Sequence, residues 1–190
     1  MGGLWFSLGA LGGSTQPDAR FADYQWSVSP RLAWGGQALA GRGPFATGLR
    51  LWRSGNTQTL GLSGVTDPSV HLTSLEAVGQ GRLATWWGTE LLGLGSVGRM
   101  YVGYDPDQLT VPSGGGPVVV DFRPVNTWIA GGGVALRRSI AEPWTMGLEV
   151  DHRVFQLDTA HRSGSTIENG RQSFHEWNAR LELAWRHAIR

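Results

Sequence analysis

SFHEWNARLELAWRHAI, Ser173 to Ile189, alternates along its whole length. His175, Trp177, Ala179, Leu181, Leu183, Trp185 and Ile189 share one parity; Phe174, Glu176, Asn178, Arg180, Glu182, Ala184 and Arg186 share the other. Strand side chains point alternately to opposite faces, so this segment has one mostly apolar face and one charged face. Wound as a helix, it would scatter Trp, Glu and Arg around the cylinder and leave no apolar stripe. It is also long. Ordinary strands run to about five or six residues, whereas a tilted membrane-spanning strand needs roughly nine to eleven. Length and alternation together predict a transmembrane β-strand.

The same rhythm extends back through the chain. Leu4 to Leu11 sets Leu4, Phe6, Leu8 and Ala10 against Trp5, Ser7 and Gly9, and Gly12 to Asp23 follows with loop composition. Tyr24 to Trp34 places Tyr24, Trp26, Val28, Leu32 and Trp34 together, with Pro30 predicting an irregular pairing. Phe45 to about Trp52 opposes Phe45, Thr47, Leu49 and Leu51 to Ala46, Gly48 and Arg50. Val70 to about Ala84 gathers Ser74, Glu76, Gln80 and Arg82 on one parity. Thr89 to Tyr104 is expected to turn Leu92, Leu94, Met100, Val102 and Tyr104 outward and Gly93, Gly95, Arg99 and Tyr101 inward. Val118 to Arg138 shows Trp128, Ala130, Val134 and Leu136 on one face. Trp144 to Leu157 sets Met146, Leu148, Val150 and Val154 against Glu149, Asp151 and Arg153. With the last strand the count is eight, and long loops alternate with short reversals such as Gly41–Pro44 and Ser139–Pro143. The expected fold is all-β: an antiparallel up-and-down barrel, with residues 1–190 as one domain.

Composition narrows the classes. The net charge of +1 gives no bulk attraction to nucleic acid, and Trp and Arg occupy opposite faces rather than forming a basic aromatic stripe. All 16 basic residues are Arg, a pattern that GC-rich codon usage produces and that also suits bidentate pairing with carboxylates. With 0 Cys there is no disulfide framework or thiolate metal site. No apolar run approaches the roughly 18 residues of a membrane helix. Met1 to Gly13 lacks the basic start of a signal peptide, so an exported chain is expected to be numbered here from after its signal.

Alternation alone leaves open which face is inside. A soluble barrel turns its apolar parity inward and binds a hydrophobic ligand; a membrane barrel turns it to lipid. Three features favour the membrane. The polar parity is rich in Gly (Gly9, Gly48, Gly93, Gly95), Tyr and Trp gather toward strand ends (Tyr24, Trp34, Tyr104, Trp144, Trp177, Trp185), and connection length is asymmetric. In these respects the whole chain resembles the small eight-stranded outer-membrane barrels of Gram-negative bacteria, the OmpA-type and porin-like families. That resemblance implies an outer-membrane location, lipid and lipopolysaccharide as partners, a monomer, no cofactor, and a non-enzymatic structural, surface-binding or weakly pore-forming role. The family usually ends on an aromatic residue, whereas here Trp185 is followed by Arg186-His187-Ala188-Ile189-Arg190.

If the polar parity is luminal, the interior is expected to hold Arg31, Arg50, Glu76, Arg82, Arg99, Glu149, Asp151, Arg153, Glu176, Arg180, Glu182 and Arg186, joined in ion pairs because buried charges persist only when paired. A final hairpin centred near residue 165 would set Glu149 beside Arg180 and Arg153 beside Glu176. The network either plugs a narrow barrel or gates a solute path. On the outer wall, His152 and His175 share the apolar parity near the long loops, with His71 near that end and His161 in the last loop. They read either as interfacial residues meeting lipid phosphates or as parts of a site resembling outer-leaflet lipid A hydrolases. Thr73 supplies a hydroxyl on that face, but the His-Ser-Asn motif of those enzymes is absent. Two His make no metal site, and Gly131-Gly132-Gly133 lacks the Lys and helix of a phosphate loop.

Overall fold

The computed structural model describes residues 3–62, 64–111, 116–163 and 166–189, with the backbone alone for 159–163 and 166–169. Its strands are β1 (Leu4–Pro17), β2 (Arg31–Arg42), β3 (Phe45–Thr57), β4 (Ser69–Trp86), β5 (Thr89–Asp105), β6 (Gln108–Val111), β7 (Val118–Asp121), β8 (Val125–Ala141), β9 (Trp144–Ser163) and β10 (Thr166–Ile189). Eight of them close into an antiparallel barrel in the order β1-β10-β9-β8-β5-β4-β3-β2, while β6 and β7 form a separate ribbon. Closure runs from Leu4 opposite Ile189 to Pro17 opposite Glu176, so neither edge of the sheet stays unpaired through the wall.

At one end the strands reverse through two-residue turns. Arg42 pairs with Phe45, Trp86 with Thr89, and Ala141 with Trp144. Trp87 (φ 47) and Gly88 (φ 75) make the left-handed pair that a type I′ hairpin needs. At the other end lie the long connections. The β9–β10 hairpin follows the register that alternation requires, with Glu149 opposite Arg180 and Arg153 opposite Glu176.

The wall is apolar outside and polar inside. Leu49, Leu51, Leu75, Val97, Leu148, Leu181 and Leu183 are exposed, whereas Arg50, Glu76, Glu149, Asp151, Arg153 and Arg180 are buried within the ring. A soluble protein does not leave such a continuous apolar belt in water; this is the surface of a membrane-spanning barrel. Trp34, Tyr101, Trp128 and Trp177 ring the loop end, and Trp86, Trp144 and Trp185 ring the turn end. Along β10, Trp177 to Trp185 spans about 20 Å of membrane normal at a rise of ~3.3 Å and a tilt of ~40°.

Several expectations are corrected. The first strand continues to Pro17, and the second begins only at Arg31. Between them Ala19–Tyr24 forms a short 3-10 helix of about two turns that folds back over the barrel mouth. Tyr24 and Trp26 therefore leave the lipid face and pack with Phe21 on an interior cluster. Val118–Asp121 belongs to the loop ribbon, not to a barrel strand. On β5 the parity is reversed: Leu92, Met100 and Val102 are buried inside, and Tyr101 is outside. Its pairing explains why. Glu76 of β4 faces the interior and stands opposite Gly98, which fixes the even-numbered residues of β5 as luminal and sends Arg99 out.

Candidate functional site

The interior has three layers. Its middle is a connected polar network rooted on most strands of the ring. Arg180 donates to both oxygens of Asp151 (2.6 and 3.2 Å), to Glu149, and lies over the Trp52 ring, 4.5 Å from its centroid. Arg50 donates to Glu149 (2.8 Å), Asp151 (3.4 Å) and Gln37 (3.1 Å). Arg153 pairs with Glu76 and Glu176 at 2.5 Å each and donates to Ser74 and Asn178. Asn178 donates to Asp151 (2.9 Å) and accepts from Thr15 (2.7 Å). Among the described residues the fully enclosed charges are the guanidiniums of Arg50, Arg137, Arg153 and Arg180 and the carboxylates of Glu76, Glu149, Asp151, Glu176 and Glu182. This near balance is what a low-dielectric lumen requires, because each buried charge needs an opposite one and hydrogen bonds besides.

The Gly triplet of β8 has a steric task. A Cβ on Gly131 would come 2.7 Å from Cγ of Arg153, and one on Gly133 would come 2.6 Å from Cα of Asp151. Both face the lumen where β9 inserts its charged residues, so side chains there would displace the network.

At the loop end a hydrophobic lid covers this layer. Phe21 stacks on Phe174 (ring centroids 4.6 Å apart) and on Trp26 (4.9 Å), over Val70, Met100, Val102, Ile129 and Phe155. Asp18 holds the lid in place. Its carboxylate accepts from the Arg20 backbone N–H (2.9 Å), the Arg20 guanidinium (2.6 Å) and the backbone N–H of His175 on β10 (2.9 Å). The Arg20 hydrogen bond, aided by the two backbone donors and the charge of Arg20, holds this carboxyl at about 2 against an ordinary 3.8, although partial burial opposes the shift. At the turn end, Arg186 lies over Trp5, 3.8 Å from its ring centroid, beside a cavity of about 900 Å³ that Arg82 and Thr145 also line.

The expected interior set thus divides. Arg50, Glu76, Glu149, Asp151, Arg153, Glu176, Arg180 and Glu182 meet in the middle layer. Arg82 sits exposed on the turn-end rim, bound to Glu90 at 2.9 Å, just past the last pair of β3 with β4 (Phe45 and Gly81) and at a register shift between Arg82 and Ala84 in the pairing with β5. Arg31 stands at the mouth, where β2 begins, outside the network. Arg99 is on the outer wall, stacked 4.8 Å from the Trp128 ring centroid. Arg137 was missed, and it donates to Glu182 (3.1 Å) and Gln80 (3.0 Å). Its parity, opposite to Trp128, Ala130, Val134 and Leu136, carried the signal.

On the outer wall His152 and His175 do meet, stacked with Nε2 of His152 3.2 Å from Nδ1 of His175, and Trp177 lies against His152. Thr73 is on β4, with β5 and β8 between it and β9. Contrary to the expectation that no serine stands two residues from His152 or His175, Ser173 precedes His175 on the same face, but its hydroxyl accepts from Gln156 (3.3 Å). Asp18 binds the His175 backbone rather than its ring. Among the described residues no hydroxyl, imidazole and carboxylate form a chain of the kind acyl transfer uses. His71 is on the outward face of β4, opposite Gly103 of β5; His161 lies where only the backbone is described.

No protein-family model matches the chain, and no curated protein matches its sequence. Solved structures do share its fold. The outer membrane protein AlkL, solved in lipid bilayers, superposes with a TM-score of 0.54 at 12% identity, covering 100% of this chain and 92% of the other. A major outer membrane protein of Thermus thermophilus gives 0.54 at 13%, over 97% and 99%. OprG of Pseudomonas aeruginosa gives 0.53 at 9%, over 99% and 97%. All three are outer membrane proteins, and at these identities the likeness extends to the fold.

Proposed function

We propose that the chain is a closed, non-enzymatic barrel of the bacterial outer membrane, a monomer formed by residues 1–190 that anchors and displays its long loops outside the cell. One observation carries this reading: the ion-pair network crosses the lumen from wall to wall beneath the aromatic lid. Eight strands enclose a space just wide enough for side chains, and here that space holds mutually bonded ones. A solute would have to break several buried pairs at once, each costing about 3–5 kcal/mol when one partner is lost. Membrane lipid and lipopolysaccharide surround the barrel, and no cofactor or metal enters its role. The β6–β7 ribbon, with Val118, Val119 and Val120 exposed, lies in the loop layer that would meet the outside.

The test is conductance in a planar bilayer. The wild-type barrel is expected to be silent, and reproducible single-channel steps would replace the plug with a gated path. Enzymatic action on lipid A would instead appear as a mass shift in cells expressing the chain, abolished by His175→Ala; no shift is expected.

A further inference from the structure

The loop-end half of the outer wall carries two arginines, Arg53 and Arg99, whose surroundings are explained neither by the lumen nor by a protein partner. Arg53 of β3 stands opposite Trp34 on one side and Thr73 on the other, and Thr73 stands opposite Tyr101, which pairs with Asn126. These residues form one row around β2, β3, β4, β5 and β8 at the loop-end girdle. Arg99 lies one row deeper, between Leu75 and Trp128. Its Nε donates to Asn126 (2.8 Å) and its plane rests on Trp128, so the side chain turns toward the girdle. This is the posture of a cation snorkelling out of hydrocarbon.

Among the described residues neither arginine has a carboxylate partner, in contrast to every enclosed arginine of the lumen. On β3, β4, β5 and β8 the one outward carboxylate described is Asp105, two side-chain steps beyond Tyr101 at the loop base. From strand spacings of ~4.8 Å and a rise of ~3.4 Å, the two Cα atoms are about 12 Å apart, within reach of one bulky head group for side chains of this length. The wall beneath is smooth, since Ala77, Val97 and Ala130 share a row and Gly79, Gly95 and Gly132 share the next.

We propose that Arg53 and Arg99, with Trp128 and Tyr101, form a binding site for the phosphate groups of lipopolysaccharide, its acyl chains lying on the smooth wall below. Charge complementarity selects the occupant. The guanidiniums sit at head-group depth on the loop side, where the outer-membrane reading above, on which this inference rests, places phosphorylated glycolipid. Forked donors fit phosphate oxygens, and the rings confine the head group from the sides.

The test uses the whole folded barrel in detergent, titrated with bisphosphorylated lipid A, with its dephosphorylated form, and with phosphatidylglycerol. Wild type is expected to bind bisphosphorylated lipid A at least about tenfold more tightly than the other two, and R53Q/R99Q to lose that preference while keeping its heat-dependent gel mobility. R171Q, on the β9–β10 hairpin, is expected to bind as wild type does. Unchanged binding in the double variant, equal binding of phosphatidylglycerol, or equal loss in R171Q would overturn the site. Labelling of Val119→Cys in intact cells tests the orientation separately: label excluded from the loops would overturn the underlying placement, whereas label admitted alongside unchanged binding would overturn the site alone.

Discussion

Arg180 shows how strongly a single residue is committed in this molecule. It is enclosed, it bridges Glu149 and Asp151, and it stacks on Trp52. Arg180→Met is expected to destabilise the barrel by about 3–5 kcal/mol, read as a lower urea midpoint, because it leaves buried carboxylates without their main cation. Adding Glu149→Gln is expected to recover part of that loss, a coupling of about 0.5–3 kcal/mol in a double-mutant cycle. At this scale the sequence was legible wherever a charge sat in strict alternation with large apolar neighbours, as Arg180 does between Ala179 and Leu181. Arg137 escaped because Arg138 beside it offers the same charge on the other parity. Arg99 misled because a lipid-facing arginine is held by Trp128 and Asn126, partners that sequence spacing does not reveal.

Among the elements, the short 3-10 helix Ala19–Tyr24 matters most, because it carries Phe21 into the barrel mouth and depends on Asp18 to hold it there. The folded carboxyl is depressed to about 2 from 3.8, so Asp18 stabilises the closed lid fully above 3.8, and that contribution is lost as pH falls through the folded value. Protease sensitivity of the first loop is therefore expected to stay flat at neutral and mildly acid pH and to rise only between about 3.8 and 2. Asp18→Asn should show the raised sensitivity at neutral pH; equal sensitivity of variant and wild type would show that the clamp is idle. This element was illegible in the sequence. Tyr24 and Trp26 continue the alternation into Leu32 and Trp34, and nothing local shows that the chain turns inward before Pro30. On β5 the difficulty was the lumen itself. Its loop-end layer is apolar, so Met100 and Val102 face inward and the rule that apolar residues meet lipid fails there. Only pairing with β4 decides the matter, and pairing is a property of the folded sheet.

For the whole molecule, closure of the ring and separation of an apolar exterior from a charged interior are the features on which the rest depends. Ring order, the presence of short reversals at one end and the outward rows of β1, β3, β9 and β10 were readable, because a period of two carried over long strands admits few other arrangements. The exact two-residue turns were not, since β2 and β8 run on into the stretches read as turns. The folded barrel is expected to migrate differently from the boiled chain in detergent gels, and a single heat-independent band would argue against a closed, resistant ring. The most direct test of the outward apolar face uses the absence of cysteine from the chain. Spin labels placed one at a time at Ala179, Leu181 and Leu183 in bilayer-reconstituted protein should collide with dissolved oxygen and be shielded from a water-soluble nickel chelate. Labels freely reached by the chelate would mean that water, not hydrocarbon, lies against β10.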